Sequence, residues 1–168
     1  MAILQIRTLG DPVLRERCRP LERFDAWLRA TVEDMIETMH AAPGVGLAAN
    51  QVGVPLRFFV YDDGEGHQGF VANPELFDLD AFEEIDEGCL SIPGPFHPTR
   101  RALRCRLRGQ DLDGRPIEIE AEGLLARIFQ HETDHLDGKL YIDRLDAAGR
   151  REVLRQLREL ELKRVQGG

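Results

Sequence analysis

The stretch "QHETDHLDG", Gln130 to Gly138, holds His131-Glu132-x-x-His135. Read as a helix, it puts the two histidines one turn apart on one face. Two imidazoles make half a tetrahedral metal site, and Glu132 beside them has the chemistry of a base. The flanking sequence suits a helix. "EGLLARIFQHETDHL", from about Glu122 to Leu136, is apolar on most faces, which predicts a central, buried helix. Gly138 is a fitting stop.

Just upstream of this helix, "DLDGRP" reads as a hairpin turn between two alternating strands. Before it, Leu103, Cys105 and Leu107 point one way and Arg104, Arg106 and Arg108 the other. After it, Ile117 and Ile119 continue the pattern. "RFFVYD" and "GFVANPEL" are further short strands, with "DDGEGHQG" as the turn between them. The acidic run "DLDAFEEIDEG" reads as a solvent-facing loop or edge strand. Trp27, Leu28, Val32, Met35, Ile36 and Met39 recur at helical spacing, so a first helix is expected from Asp25, its cap, to about His40. Pro43 and Gly44 end it. "LGDPVLRERCRPL" reads as an extended, irregular N-terminal arm. A third helix is expected from Ala147 to about Val165, apolar on one side and charged on the other. Helix, many strands, then two helices gives an α+β class.

The chain has 168 residues, which fits one domain over residues 1–168. Hydrophobic residues are 42% and charged residues 31%, an ordinary soluble balance. The net charge of −8 disfavours DNA as a partner. "MAILQIRTLG" is broken by Gln5 and Arg7 and does not read as a signal peptide, and no run reaches the roughly 20 apolar residues of a membrane span. A cytoplasmic location follows. Three cysteines leave at least one unpaired, so a ligand role is open to one of them.

The unanswered question is the third metal ligand. The extended motif His-Glu-x-x-His-x-x-Gly-x-x-His fails here, because Tyr141 stands where the last histidine should be. Glu152, Glu159 and Glu161 could serve from the last helix, but they sit among arginines on a solvated face. Cys89, in "DEGCLSIPG", is the better candidate, since a thiolate with two imidazoles leaves a fourth position open for water. Upstream, in "GVGLAANQVG", Gly44 and Gly46 would let a backbone come close to a ligand, with a plain tight turn as the alternative. Gln51 there is either an amide donor to a developing oxyanion or a surface residue of a tight turn. A pocket for the substrate side chain is expected among Val45, Gly46, Glu87, Gly88, Leu124 and Ile128; plain core is the alternative for Leu124 and Ile128.

Three segments together resemble peptide deformylase: Gly44-Val45-Gly46-Leu47-Ala48-Ala49-Asn50-Gln51, Glu87-Gly88-Cys89-Leu90-Ser91, and Gln130-His131-Glu132-Thr133-Asp134-His135-Leu136. They occur in the family's order and at compatible spacing. The resemblance implies an enzyme that removes the formyl group from N-formyl-methionyl nascent polypeptides. It implies Cys89, His131 and His135 as ligands of one divalent ion, Glu132 as acid/base, and Gln51 with the Leu90 N–H as the oxyanion site. It implies Fe²⁺ as the native metal, with Ni²⁺ or Co²⁺ able to substitute and Zn²⁺ less active. The implied fold wraps small antiparallel sheets around the histidine-bearing helix. It also makes a ribosome contact through the C-terminal helix an expectation.

Other positions carry less. Asn50 lies where the family often has Pro or Thr, and change there is expected to be tolerated. Phe96 and His97 stand in a loop where some members place a substrate-binding Arg. Arg127 either lies at the rim of the substrate pocket or pairs with an acid, the second being preferred. His40, His67 and His97 have no ligand spacing, and Cys18 and Cys105 read as packed thiols. Glu87 is expected to orient the site.

Overall fold

The apolar run of "FFVYD" decides how the layers stack. In a computed structural model, which describes residues 2–167, this run is strand β2, Phe58–Asp62, and both of its faces are covered. Phe58 and Val60 pack with Leu28, Val32, Met35 and Met39 of helix α1, Ala26–Ala41. Phe59 and Tyr61 point the opposite way, as a strand's two-residue period requires. They pack on helix α2, Leu124–Leu136, where Phe129 lies 5.9 Å and 5.1 Å from their rings. Helices on both faces explain why β2 shows no polar alternation.

The sheet is antiparallel, in the order β1-β2-β3-β4-β5. Its other strands are β1, Gly46–Ala48; β3, Gln68–Cys89; β4, Ile92–Gln110; and β5, Pro116–Glu122. The small separate sheets expected from the resemblance are replaced by one continuous ladder. The reason is length: β3 and β4 bend at register shifts between Ala72 and Glu75 and between Phe77 and Asp80, so one pair of strands crosses what the sequence breaks into pieces. At the first bend Asn73 takes φ 50°, a conformation Asn tolerates better than most residues, and its amide bonds both the N–H and the carbonyl of Leu21. The acidic run belongs to β3. Its outer charges meet the arginines of β4, as in Arg104–Asp80 at 3.1 Å, and Arg106 reaches Glu120 of β5 at 2.7 Å.

Asp25 caps α1 through the Leu28 N–H at 3.0 Å. The N-terminal arm is irregular apart from a 3₁₀ turn at Pro12–Arg15. Short 3₁₀ turns also follow β1, at Ala49–Val52, and α2, at Tyr141–Arg144. The last helix, α3, spans Ala147–Gly167. Among the described residues, no helix is long and apolar enough to cross a membrane.

Cys18 and Cys105 are free and buried, and burial pushes both thiols up from 9 to about 11. Below pH 9 the folded and unfolded chains both keep these protons. Above it the unfolded chain releases them first, so stability should fall as pH rises from 9 towards 11. Urea midpoints measured from pH 8 to 11 should decline, and less so in a Cys18→Ala/Cys105→Ala double variant; parallel curves would contradict the assignment.

Candidate active site

The site forms where the end of β3 meets one face of α2. Three donors converge there, Cys89 Sγ, His131 Nε2 and His135 Nε2, all within 4.8 Å of one another. Sγ is 3.3 Å from His135 Nε2, and the two Nε2 atoms are 3.1 Å apart. The other nitrogen of His131, Nδ1, donates to Glu87 Oε2 at 2.7 Å, which leaves Nε2 free to offer its lone pair. His135 Nδ1 is buried with no hydrogen-bond partner among the described residues. One thiolate and two imidazoles form a donor set suited to a divalent transition metal with an open position. The charges agree. Burial opposes a charge on either ring, yet Glu132, Cys89 and Glu87 raise His131 well above its ordinary pKa. Burial and the neighbouring His131 push His135 well below.

Glu132 is buried, and its Oε1 has no partner among the described residues. Burial lifts its carboxyl to about 7, against the opposing pull of His131. A buried carboxylate with a vacant oxygen and a pKa near neutrality is suited to moving protons. Gly46 makes room for it: a Cβ at that position would lie 2.5 Å from Glu132 Oε2. The orientation of Gln51 is fixed. Its Oε1 accepts from the Ala48 N–H at 2.9 Å, so its amide nitrogen must face the other way, towards Ser91 Oγ at 3.0 Å and Cys89 Sγ at 3.8 Å.

A cavity of about 630 Å³ opens beside these groups. Val45, Gly46, Gly88, Leu90, Leu124 and Ile128 line it, and so do Gln51, Glu87, Cys89, His131 and Glu132. Every site residue implied by the resemblance except His135 is on that wall, and His135 completes the donor trio. Glu152, Glu159 and Glu161 lie elsewhere, on α3, with Glu152 and Glu159 held by Arg155.

Sequence reasoning missed the support behind the site. Arg101 is 3% exposed and lies between Glu87, bound through Nε and Nη2 at 3.0 and 2.7 Å, and Asp134, bound at 2.6 Å. Arg144 clasps the same Asp134 at 3.0 and 2.6 Å. Although burial raises it, Glu87 is held at about 2 by His131 and Arg101. Asn50, at a position where change is expected to be tolerated, is fully buried, and its Nδ2 donates to the His135 carbonyl at 2.6 Å. Phe96 lines the cavity and packs so closely on Gly88 that a Cβ there would lie 2.6 Å from its ring. The His97 ring bonds the neighbouring Pro98 carbonyl, at 3.0 Å, and packs against Gly149. Arg127 does pair with an acid, Glu83 at 2.9 Å, and it also lines the cavity.

Comparison with known proteins bears on this geometry. Residues 3–151 match the polypeptide deformylase family. A peptide deformylase of Acidothermus cellulolyticus is 51% identical over 161 residues, 96% of this chain and 89% of the relative. Among solved structures, a peptide deformylase from Legionella pneumophila superposes with a TM-score of 0.91 at 41% identity, covering 98% of both chains. One from Thermotoga maritima gives 0.83 at 49%, covering 86% of this chain and 98% of that one. Fold and comparisons together define a metal-dependent hydrolase. The chain belongs to the polypeptide deformylase family.

Proposed function

We propose that residues 1–168 act as a single catalytic domain that removes the formyl group from the N-terminal formyl-methionine of newly made proteins, releasing formate. The observation that carries this reading is the convergence of Cys89, His131 and His135 beside the vacant oxygen of buried Glu132, at the wall of a cavity. Cys89, His131 and His135 would hold one divalent ion, and Fe²⁺ is the proposed native metal. Such an ion supplies Lewis acidity that makes water a nucleophile near neutral pH.

The chain's own groups do the rest. Glu132 takes a proton from the attacking water. As the formyl carbonyl gains negative charge, the Gln51 amide and the Leu90 N–H donate to it. The carbon–nitrogen bond then breaks, and Glu132 returns the proton to the departing amine, leaving formate and a free N-terminus. Glu87, held by Arg101, keeps the His131 ring in register. Val45, Gly88, Leu124 and Ile128 would receive the methionine side chain. We place the enzyme in the cytoplasm, on nascent chains. On α3, Arg155 is engaged by Glu152 and Glu159, which leaves exposed Arg151, Arg158, Lys163 and Arg164 as the surface for a ribosome contact.

Anaerobic purification, metal analysis and a formate assay on formyl-Met-Ala-Ser test the reading. Near-stoichiometric iron or nickel with formate release is expected; a loaded protein that releases none would overturn it. Gly46→Ala should cut kcat about 100-fold by displacing the Glu132 carboxylate, since a shift of about 1 Å at a reacting group costs that much. Metal content should not change, and steady-state rates within about threefold of the parent would contradict the close approach.

A further inference from the structure

The wall of the cavity carries one charge that the proposed chemistry leaves unused. Leu124, Arg127, Ile128 and His131 follow one another at helical spacing along α2, and all four line the cavity. Among the described residues, Arg127 is the one Arg or Lys in that lining. Its side chain is 15% exposed, and Nη2 donates to Glu83 at 2.9 Å. A guanidinium has five N–H donors in a rigid fork, so this single bond leaves most of them available. Glu83 anchors the head, and the side chain forms part of the cavity wall.

Position says what those donors can meet. Arg127 precedes His131 by four residues, about 6 Å along the helix. A formyl carbon beside Glu132 is separated from the first residue's Cα only by the amide nitrogen. The first side chain therefore starts near His131 and, entering the cavity, spans about one helical turn. An unbranched side chain of methionine's length ends level with Arg127. Buried Ile128, next to Arg127 on the same wall, would reject a polar tip that found no partner.

We propose that Arg127 is a specificity-determining residue that admits formylated N-terminal residues whose side chains end in a hydrogen-bond acceptor, methionine sulfoxide being the probe. Sulfoxide formation turns methionine into a polar side chain of nearly unchanged length. The sulfoxide oxygen accepts from the free donors of Arg127, while Glu83 keeps the fork in place. The inference rests on the deformylase reading of the same site.

The test compares kcat/KM for formyl-norleucyl, formyl-methionyl and formyl-methionine-sulfoxide versions of one tripeptide. The sulfoxide-to-norleucine ratio is the readout. Arg127→Met should lower it about tenfold, the worth of one hydrogen bond from a charged donor. Arg127→Lys keeps a cationic donor and should hold the ratio to within about threefold of the parent. An unchanged ratio in Arg127→Met, or an equal fall in both variants, would overturn the proposal. If the parent enzyme fails on formyl-norleucine and formyl-methionine alike, the deformylase reading fails instead.

Discussion

Glu132→Gln should lower kcat about 10²–10⁴-fold while leaving metal content and fold intact. The substitution keeps shape and removes only the ability to take up and return a proton, and that range is the usual contribution of a positioned acid/base. The environment makes the result sharper. Glu132 is buried, and its carboxyl sits at about 7 against 4.5 for an exposed one. A folded-state pKa raised in this way means that the charged form costs stability, a cost that grows as pH rises from 4.5 towards 7. Gln carries no such charge, so the variant should melt no lower than its parent at a pH just above about 7. Kinetics on formyl-Met-Ala-Ser, metal analysis and thermal melts check the three parts. Retained turnover would remove Glu132 from the mechanism, and a lost ion would make it part of the metal site instead.

Arg101→Met carries the largest expected effect on stability. Arginine is replaced by an unbranched, uncharged side chain, and Glu87 and Asp134 lose a cation that bonds both. Breaking a buried ion pair in this way costs about 3–5 kcal/mol. Asp134 keeps Arg144, whereas Glu87 keeps only His131 among its hydrogen-bonding side chains here. The damage should therefore travel to the metal, with affinity weaker by about 10- to 100-fold, as when a partner behind a ligating histidine is lost. Arg101→Lys should not rescue it, because an ammonium cannot bond Glu87 through two parallel N–H groups. Denaturant midpoints and competition with a chelator measure the two effects. A stability loss under about 1 kcal/mol would show that the network is not what holds Glu87.

What the sequence made legible was local. The period of 3.6 marks the histidine pair, the Asp25 cap starts α1 where the side chain bonds the Leu28 N–H, and the period of two orients Cys105 and Leu107 inward. Each of these signals lies within a few residues. Arg101 is not legible, because its partners lie 14 and 33 positions away and its own neighbourhood reads as the start of a charged strand. The bond of Asn50 to the His135 carbonyl is hidden for the same reason, since it spans 85 positions. The length of β3 and β4 is not legible either, because register shifts inside them resemble strand ends when read one segment at a time. Arg127 shows a different limit. Pairing with an acid and lining a cavity look like alternatives, yet a long amphipathic side chain does both.

The far end of α2 sets a lower bound on how small this catalyst can be made. Its terminal carbonyls are taken by the Cys18 N–H at 2.8 Å, Asn50 Nδ2 at 2.6 Å and Arg57 Nη1 at 3.0 Å, from three separate stretches of chain. The helix has 13 residues, about the shortest length that persists unaided in water. A synthetic peptide of residues 124–136 would therefore be largely unwound, its imidazoles no longer a fixed pair. The motif is a signature of the enzyme but not a detachable part of it.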